Sequence, residues 1–203
     1  MKLRRMESSE KLVYLLFYKP DDVICQFSPH GRYASLADFI PVRNVYPAGR
    51  LDTDSEGLLL LTNDGMLSHY LTDPTRHCPK TYFVQVEGEI TEQALQKLRK
   101  GILVKKHNTL PCQAERIREP ELPPRRKPIT PHKVTSWVRI ILSEGKKRQI
   151  RHMTAAVGFP TLRLIRVAIG PLNLQNLDPG EWRHLTQEEI RLLKFVLKIN
   201  PTV

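Results

Sequence analysis

The strongest structural signal in this chain is the stretch Gly49-Arg50-Leu51-Asp52-Thr53-Asp54-Ser55-Glu56-Gly57, which continues into Leu58-Leu59-Leu60-Leu61-Thr62. Three carboxylates and an arginine occupy seven residues, directly before a run of four leucines that predicts a buried strand. An acidic cluster at the entrance of such a strand lies at the rim of a core, which is where an enzyme can position a reactive carboxylate. The alternative is an ordinary turn, because Asp, Thr, Ser and Gly are common turn formers.

The composition indicates a polyanionic partner. The 203-residue chain carries 32 Lys and Arg against 21 Asp and Glu, a formal net charge of +11, with 40% hydrophobic residues. A positive surplus of this size favours nucleic acid as the partner. A membrane is disfavoured, because no apolar stretch approaches the roughly 18 residues that cross a bilayer. A basic protein that uses its charge only for solubility is the alternative.

The cysteines and histidines give no sign of a metal site. Cys25, Cys78 and Cys112 are far apart and form no Cys-x-x-Cys pair, and the seven histidines show no metal-ligand spacing. We therefore expect neither a disulfide framework nor a bound metal. Residues 1–5 lack the apolar core of a signal peptide, so we expect a cytoplasmic protein.

The hydrophobic pattern predicts strands mixed with a few helices. Apolar runs predict the strands, and caps, glycine ends and apolar stripes predict the helices. Because the two types do not alternate regularly, we expect an α+β fold with a largely antiparallel or mixed sheet. The predicted strands are 12–17, 57–62, 81–87, 136–142 and further strands within 162–174, and the predicted helices are 33–40, 66–71, 91–100, one opening at 146–152 and one capped by Thr186.

The segment that begins at Lys146 places positive side chains at a helix start, where the helix dipole is already positive. Arg148 and Arg151 are i, i+3 neighbours and share one face of this helix. A nearby anion would turn the repulsion into binding, and it could be a phosphate of nucleic acid or a buried carboxylate such as that of Asp52. A basic face that is only solvated explains Lys146 and Lys147 better than it explains the two arginines.

Three short motifs occur in order along the chain: Gly49-Arg50-Leu51-Asp52, Lys80-Thr81-Tyr82 and Glu144-Gly145-Lys146-Lys147-Arg148-Gln149-Ile150-Arg151. Together they resemble the three motifs of bacterial ribosomal RNA pseudouridine synthases of the RsuA type. The resemblance extends over residues 14–185. It implies the pseudouridine synthase catalytic fold, with a central mixed or antiparallel sheet in two subdomains and an active-site cleft between them. It also implies action on a uridine of large-subunit ribosomal RNA.

The reaction implied by the resemblance is an isomerisation without ATP, metal or redox cofactor, in which uridine is detached at its N-glycosidic bond, rotated and rejoined through carbon 5. Asp52 would be the nucleophile, because a carboxylate can stabilise or trap positive charge at the anomeric carbon. Whether Asp52 bonds to the sugar or removes a sugar proton first stays open. Asp52 must be ionised, so a cation must offset its burial, and the resemblance offers Arg151 as the ion-pair partner. Asp54 and Glu56 are expected to be caps and turn residues.

The other site residues also follow from the resemblance. Tyr82 would lie against the uracil and take the proton from carbon 5, with a core strand tyrosine as the alternative. Leu164 would pack on the target base, and Arg50 would fill the gap left when the base is flipped from its stack. Lys80 would support the substrate site structurally, and Arg148 would bind the substrate.

We expect a flexible basic arm at residues 1–10 and a single catalytic domain over 11–203, with subdomains at about 11–77 and 78–203. Five prolines between positions 120 and 131 exclude a regular element. Segment 120–133 is therefore expected to be a mobile basic loop, with a solvated linker as the alternative.

The chain begins almost directly at its first catalytic strand, whereas most RsuA-type enzymes carry a small basic RNA-binding domain before the catalytic one. We therefore expect no such domain here. Target choice would depend on the basic surfaces of Arg4-Arg5, the 120–133 loop and the helix start at 146–151.

These expectations describe a cytoplasmic monomer that acts on ribosomal RNA, without membrane, metal or small-molecule cofactor. Two other functions compete with a synthase. A non-catalytic ribosomal RNA-binding or ribosome-assembly protein would use the same basic surfaces and tolerate change at Asp52. An RNA or DNA glycosylase would leave an abasic product.

Overall fold

The computed structural model of the protein describes residues 11–199, so the predicted arm at 1–10, with Arg4-Arg5, lies outside the described residues. The helices are α1 (Gly65–Thr72), α2 (Glu92–Lys100), α3 (Gln149–Ala156) and α4 (Gln187–Val196). The strands are β1 (Tyr14–Lys19), β2 (Tyr46–Pro47), β3 (Glu56–Thr62), β4 (Lys80–Glu87), β5 (Leu103–Val104), β6 (His107–Asn108), β7 (Gln113–Ile117), β8 (Thr135–Leu142), β9 (Thr161–Ile169), β10 (Leu172–Asn173) and β11 (Trp182–His184).

One nine-stranded sheet organises the molecule. Its main path runs β11-β1-β3-β9-β4-β8-β7, with β2 added to β3 and β10 to β9, while β5 and β6 form a separate hairpin. All pairings in the sheet are antiparallel except that of β3 with β9, which is parallel. The predicted α+β class with a mixed central sheet is confirmed.

The junction between β3 and β9 depends on a glycine. These strands pair only through Glu56 with Ile165 and Gly57 with Arg166. Gly57 has φ of +105°, and a Cβ added there would lie 2.7 Å from the backbone nitrogen of Arg166 and closer still to its carbonyl oxygen. The acidic stretch leads directly into β3. The close approach of Gly57 to Arg166 therefore places this stretch beside β9, a strand from the C-terminal part of the chain.

The sheet carries a hydrophobic core on each face. Leu59 and Leu61 of β3 pack in one core, and Leu58 and Leu60 pack in the other. Every residue of β3 is buried, as predicted for a strand covered on both sides. Tyr82 and Leu164 belong to the same core as Leu59 and Leu61.

Two predicted helices differ from the structure. Of the helix predicted at 33–40, only a single turn of 3-10 helix at Leu36–Asp38 forms, because the carboxylate of Asp38 accepts hydrogen bonds from Ser35 and closes the turn locally. The helix predicted to open at 146–152 begins only at Gln149, because Arg148 adopts a left-handed conformation with φ of +55°.

The capped helices follow the sequence closely. The hydroxyl of Thr91 accepts from the Ala94 amide at the start of α2, which ends at Gly101. Thr186 and Glu189 form the predicted capping box of α4. No helix within residues 11–199 is long and apolar enough to cross a membrane.

The C-terminal part of the chain completes the sheet of the N-terminal part, since β11 pairs with β1 and β9 pairs with β3. The subdomain boundary near residue 77 therefore stays a prediction. Between β7 and β8, residues 118–134 contain no helix or strand, in line with the proline content of that segment.

Candidate active site

The acidic stretch folds into a turn at residues 52–55, between β2 and β3, which we call the acidic turn. The Ser55 amide donates to the Asp52 carbonyl at 3.0 Å and closes it. The carboxylate of Asp52 is half-buried, and it has no hydrogen bond or ion pair within residues 11–199. The acidic turn thus presents one carboxylate that no described side chain binds directly, although Arg148 and Arg151 lie close enough to interact with its charge.

A buried lysine holds the acidic turn from one side. Lys19 is fully buried, and its ammonium donates to the carbonyls of Pro20 at 2.8 Å, Val23 at 2.7 Å and Thr53 at 3.3 Å. The Asp22 amide donates to the same Thr53 carbonyl at 2.9 Å. Burial lowers the pKa of Lys19 to about 8. No role in the site was predicted for Lys19, and a lysine directly before a proline at the end of a buried strand is the signal that could have revealed it.

Asp52 lies on the wall of a cleft of about 720 Å³. Six of the seven predicted site residues line this cleft: Arg50, Asp52, Lys80, Tyr82, Arg148 and Leu164. They come from the acidic turn and the residues just before it, from β4, from β9 and from the residue before α3. The tertiary structure therefore brings together side chains from all three sequence motifs.

Two buried side chains form the apolar part of the cleft wall. Tyr82 is 9% exposed and Leu164 is 5% exposed, and both pack in the same core cluster. The Tyr82 hydroxyl has no hydrogen bond in the described part of the chain. Tyr82 is thus a core strand residue and a cleft residue at once, so the two interpretations made from the sequence are compatible.

Lys80 and Arg166 add buried positive charge to the cleft. Lys80 donates to the Cys78 carbonyl at 3.1 Å, and burial lowers its pKa, an effect to which the nearby charge of Arg166 adds. Arg166 is 4% exposed, and its Nε donates to the Leu58 carbonyl at 2.8 Å. The Nη2 atom of Arg166 is buried without a hydrogen-bond partner in the described structure. No role in the site was predicted for Arg166.

The direct ion pair of Arg151 is with Asp54 and not with Asp52 as predicted, although the charge of Asp52 still acts on Arg151. Nη2 of Arg151 lies 3.3 Å from the carboxylate of Asp54 and donates to the Asp54 carbonyl at 3.0 Å. Among the residues described, Arg151 forms no ion pair with Asp52 and does not line the cleft. The acidic turn separates its two aspartates, because Asp52 lines the cleft whereas Asp54 meets the start of α3.

Asp54 is therefore more than a cap or turn residue. Its two carboxylate oxygens each lie 3.1 Å from a terminal nitrogen of Arg148, in addition to the contact with Arg151. Burial alone would raise the pKa of Asp54, but the hydrogen bonds from Arg148 and the charge of Arg151 outweigh it, and the pKa is lowered. The anion that the basic helix start needed is thus supplied by Asp54.

Glu56 and the Pro-rich segment form a second ionic cluster behind the acidic turn. Glu56 is 2% exposed, and it accepts two hydrogen bonds from Arg163, at 3.0 Å to Nε and 2.8 Å to Nη2. Arg125 lies 3.3 Å from Glu56 and 3.2 Å from the buried carboxylate of Asp21. The expected free basic surface at 120–133 does not include Arg125, because this side chain is directed into the protein.

Within residues 11–199, no group of His, Cys, Asp and Glu side chains has the geometry of a metal site. The three cysteines are free.

This fold and this cleft belong to a known class of enzyme. The family model for RNA pseudouridylate synthases matches residues 13–156, and the chain belongs to that family. It is 47% identical over 194 residues to ribosomal large subunit pseudouridine synthase E of Vibrio vulnificus, covering 92% of this chain and 83% of that protein. It is 48% identical over 174 residues to the synthase E of Xanthomonas campestris pv. campestris, covering 83% and 93% of the two chains.

A solved structure agrees with this assignment. The crystal structure of a pseudouridylate synthase superposes with a TM-score of 0.77 at 32% identity, covering 90% of this chain and 74% of that one. The protein is therefore an RNA pseudouridine synthase, an isomerase, and the family predicted from the three motifs is confirmed.

Proposed function

We propose that this protein converts a specific uridine of large-subunit ribosomal RNA to pseudouridine, with Asp52 as the nucleophile. The RNA target is supported by the names of the synthase E relatives and by the net charge of +11. The single observation that carries the catalytic assignment is the Asp52 carboxylate on the cleft wall, without a hydrogen bond or ion pair to the described residues.

The reaction breaks the bond between C1′ of the ribose and N1 of uracil and forms a bond between C1′ and C5. The proton on C5 is lost, and N1 gains a proton. Asp52 supplies the negative charge that stabilises or traps the electron-poor C1′ after the first bond breaks. A carboxylate in an ion pair with an arginine would stabilise positive charge at C1′ less well. In the acidic turn the ion pairs with arginine are made by Asp54.

The apolar wall of the cleft suits the detached base. Leu164 packs on the uracil, and the Tyr82 ring lies against it with the hydroxyl available to take the C5 proton. Tyr82 is held in β4 between β8 and β9, which limits its movement. The rotation of the base thus takes place against a rigid surface.

Positive groups at the mouth of the cleft suit the RNA strand. Arg50 is exposed, lines the cleft and has no ion pair among the residues described, so it is available to occupy the space of the flipped base. Lys146 and Lys147 are exposed on the same cleft. Arg148 contributes positive charge beside them while it also binds Asp54, and Lys80 supports the floor.

One chain carries every residue of the proposed site, so a monomer suffices for the reaction. The cytoplasm is the compartment in which a bacterial enzyme meets ribosomal RNA, and we place the protein there.

Tritium release from carbon-5-labelled uridine in large-subunit ribosomal RNA tests the proposal. The wild-type protein should release tritium, and Asp52→Asn should abolish release while RNA binding persists. Asp22→Asn is the matched control, because the Asp22 side chain makes no hydrogen bond or ion pair among the described residues and its left-handed φ of +57° suits asparagine. This control should keep the wild-type rate.

Three results would contradict the proposal. Release by Asp52→Asn at the wild-type rate would exclude Asp52 as the nucleophile. Tight RNA binding by the wild-type protein without any release would favour a non-catalytic assembly protein. An abasic product would indicate a glycosylase.

A further inference from the structure

The Pro-rich segment between β7 and β8 is attached to the protein at three points. Leu122 packs against the core that contains Leu58 and Leu60. The Pro123 carbonyl accepts a hydrogen bond from Nη2 of Arg163 at 3.0 Å. The Arg125 side chain is only 15% exposed. The segment predicted to be a basic loop thus has one arginine, Arg125, whose side chain is largely buried in the protein.

Arg125 lies close to three groups around the acidic turn, two through ion pairs and one through a hydrogen bond. Its Nε lies 3.2 Å from the Asp21 carboxylate and 3.3 Å from the Glu56 carboxylate. Its Nη2 donates to the Asp54 carbonyl at 3.4 Å. One guanidinium therefore connects the segment that follows β1, the acidic turn and the first residue of β3.

The charges of this cluster explain why an arginine is needed there. Asp21 and Glu56 are each 2% exposed, and two buried carboxylates require compensating cations. Glu56 has a second partner in Arg163, whereas Arg125 provides the only ion pair of Asp21 among the residues described. Loss of Arg125 would leave the Asp21 carboxylate buried without that partner.

The same cluster is connected to Asp52 by short paths. The amide of Asp22, next to Asp21, donates to the Thr53 carbonyl at 2.9 Å. The Asp54 carbonyl that accepts from Arg125 also accepts from Arg151. The backbone of Thr53 and Asp54, the two residues that follow Asp52, is thus held by contacts of Arg125 and of the segment around its partner Asp21.

From this geometry we propose that Arg125 is a positioning residue, which fixes the acidic turn so that the Asp52 carboxylate faces the cleft. The inference rests on the proposed function. Arg125 does not touch the RNA in this role. The adjacent Arg126 is exposed and is therefore available to bind an RNA phosphate. Two consecutive arginines therefore have different effects, one on the rate of the reaction and one on RNA affinity.

The experiment separates these effects by measuring single-turnover tritium release at saturating RNA together with the dissociation constant of the RNA complex. Arg125→Ala should lower the rate by at least about tenfold, since small displacements of a reacting group are costly, and should leave the RNA dissociation constant within about twofold of the wild type. Arg126→Ala should weaken RNA binding. Arg118→Ala is the matched control and should keep the wild-type rate, because Arg118 is exposed in the same β7–β8 connection and makes no hydrogen bond or ion pair among the described residues. Arg125→Lys should not restore the rate, because one ammonium does not span the three groups.

A variant that also removes the buried negative charge controls for misfolding. In Arg125→Ala/Asp21→Asn no unpaired carboxylate remains at position 21, so thermal stability should recover while the rate stays low. Recovery of the rate in this double variant would show a role in stability alone. A wild-type rate with weakened RNA binding in Arg125→Ala would make Arg125 a phosphate contact. The proposed function itself fails only if the wild-type protein releases no tritium or Asp52→Asn still does.

Discussion

Arg151 is paired with Asp54, at 3.3 Å from its carboxylate, and not with Asp52 two residues earlier. Asp54 also binds Arg148 through both carboxylate oxygens, so one acid neutralises two arginines at the start of α3. The two aspartates of the acidic turn therefore have different roles. Asp54 holds the turn to α3, and Asp52 is left for the substrate.

Asp54→Asn should reduce the rate without abolishing it. The amide keeps the shape of the side chain but removes the charge that attracts Arg148 and Arg151, which would then be attracted to Asp52. We expect the rate of tritium release to fall about ten- to hundredfold, as for a displaced catalytic group, with RNA affinity unchanged or improved. A complete loss equal to that of Asp52→Asn would show that Asp54 takes part in the chemistry.

Arg151→Ala should lose most of the activity while it retains RNA affinity. Its side chain is 11% exposed and donates to the Asp54 carbonyl, so it stabilises the acidic turn rather than an outer surface. Lys147→Ala provides the contrast, because Lys147 is exposed on the cleft and should affect RNA affinity more than rate. Filter binding and tritium release on the two variants measure both quantities. A variant of Arg151 that keeps its rate but binds RNA weakly would make Arg151 a phosphate contact.

Gly57→Ala should destabilise the protein strongly. The new Cβ would meet the backbone of Arg166, and the φ of +105° is unfavourable for alanine. We expect a loss of at least about 3 kcal/mol in the free energy of unfolding, in the range of steric strain plus overpacking. Gly65→Ala is the control, because a Cβ at Gly65 meets nothing within 4 Å. Urea unfolding of both variants checks this, and a Gly57→Ala protein as stable as the control would contradict the account of the β3–β9 junction.

The buried ammonium of Lys19 predicts a loss of activity at alkaline pH. Its pKa is about 8, below the ordinary 10.5. Above pH 8 the neutral amine has two N–H donors for three carbonyls, and the longest contact, 3.3 Å to Thr53, is the weakest. We therefore expect the rate of tritium release to fall as pH rises through about 8.

Stability should respond to Lys19 in the opposite direction. Between the two pKa values the unfolded chain binds more protons than the folded protein, so the contribution of Lys19 to the free energy of unfolding rises with pH. Thermal unfolding on either side of pH 8 should therefore not follow the loss of rate. Lys19→Met, which lacks the donors, should be slow at every pH. If Lys19→Met is as fast as the wild type and shows the same fall near pH 8, another group is responsible.

Local features of the fold could be predicted from the sequence because their causes are local. The caps at Thr91 and Thr186 act on amides three residues away, and the leucine run of β3 is apolar whatever packs on it. The start of α3 could not be placed, because it depends on the left-handed backbone conformation of Arg148, a residue whose side chain binds the distant Asp54 carboxylate.

The sequence by itself determined the family and the candidate residues, because three motifs in order specify the chemical groups of one site. The partner of each charged side chain was decided only by the tertiary structure. Asp54 and Arg151 are 97 residues apart, and Glu56 and Arg163 are 107 residues apart. Ion pairs over such separations form only after the sheet has assembled, because the energy of a charge depends on its distance to other charges and on its burial. The same folding step placed Asp52 on the cleft wall and directed Asp54 to the arginines at the start of α3.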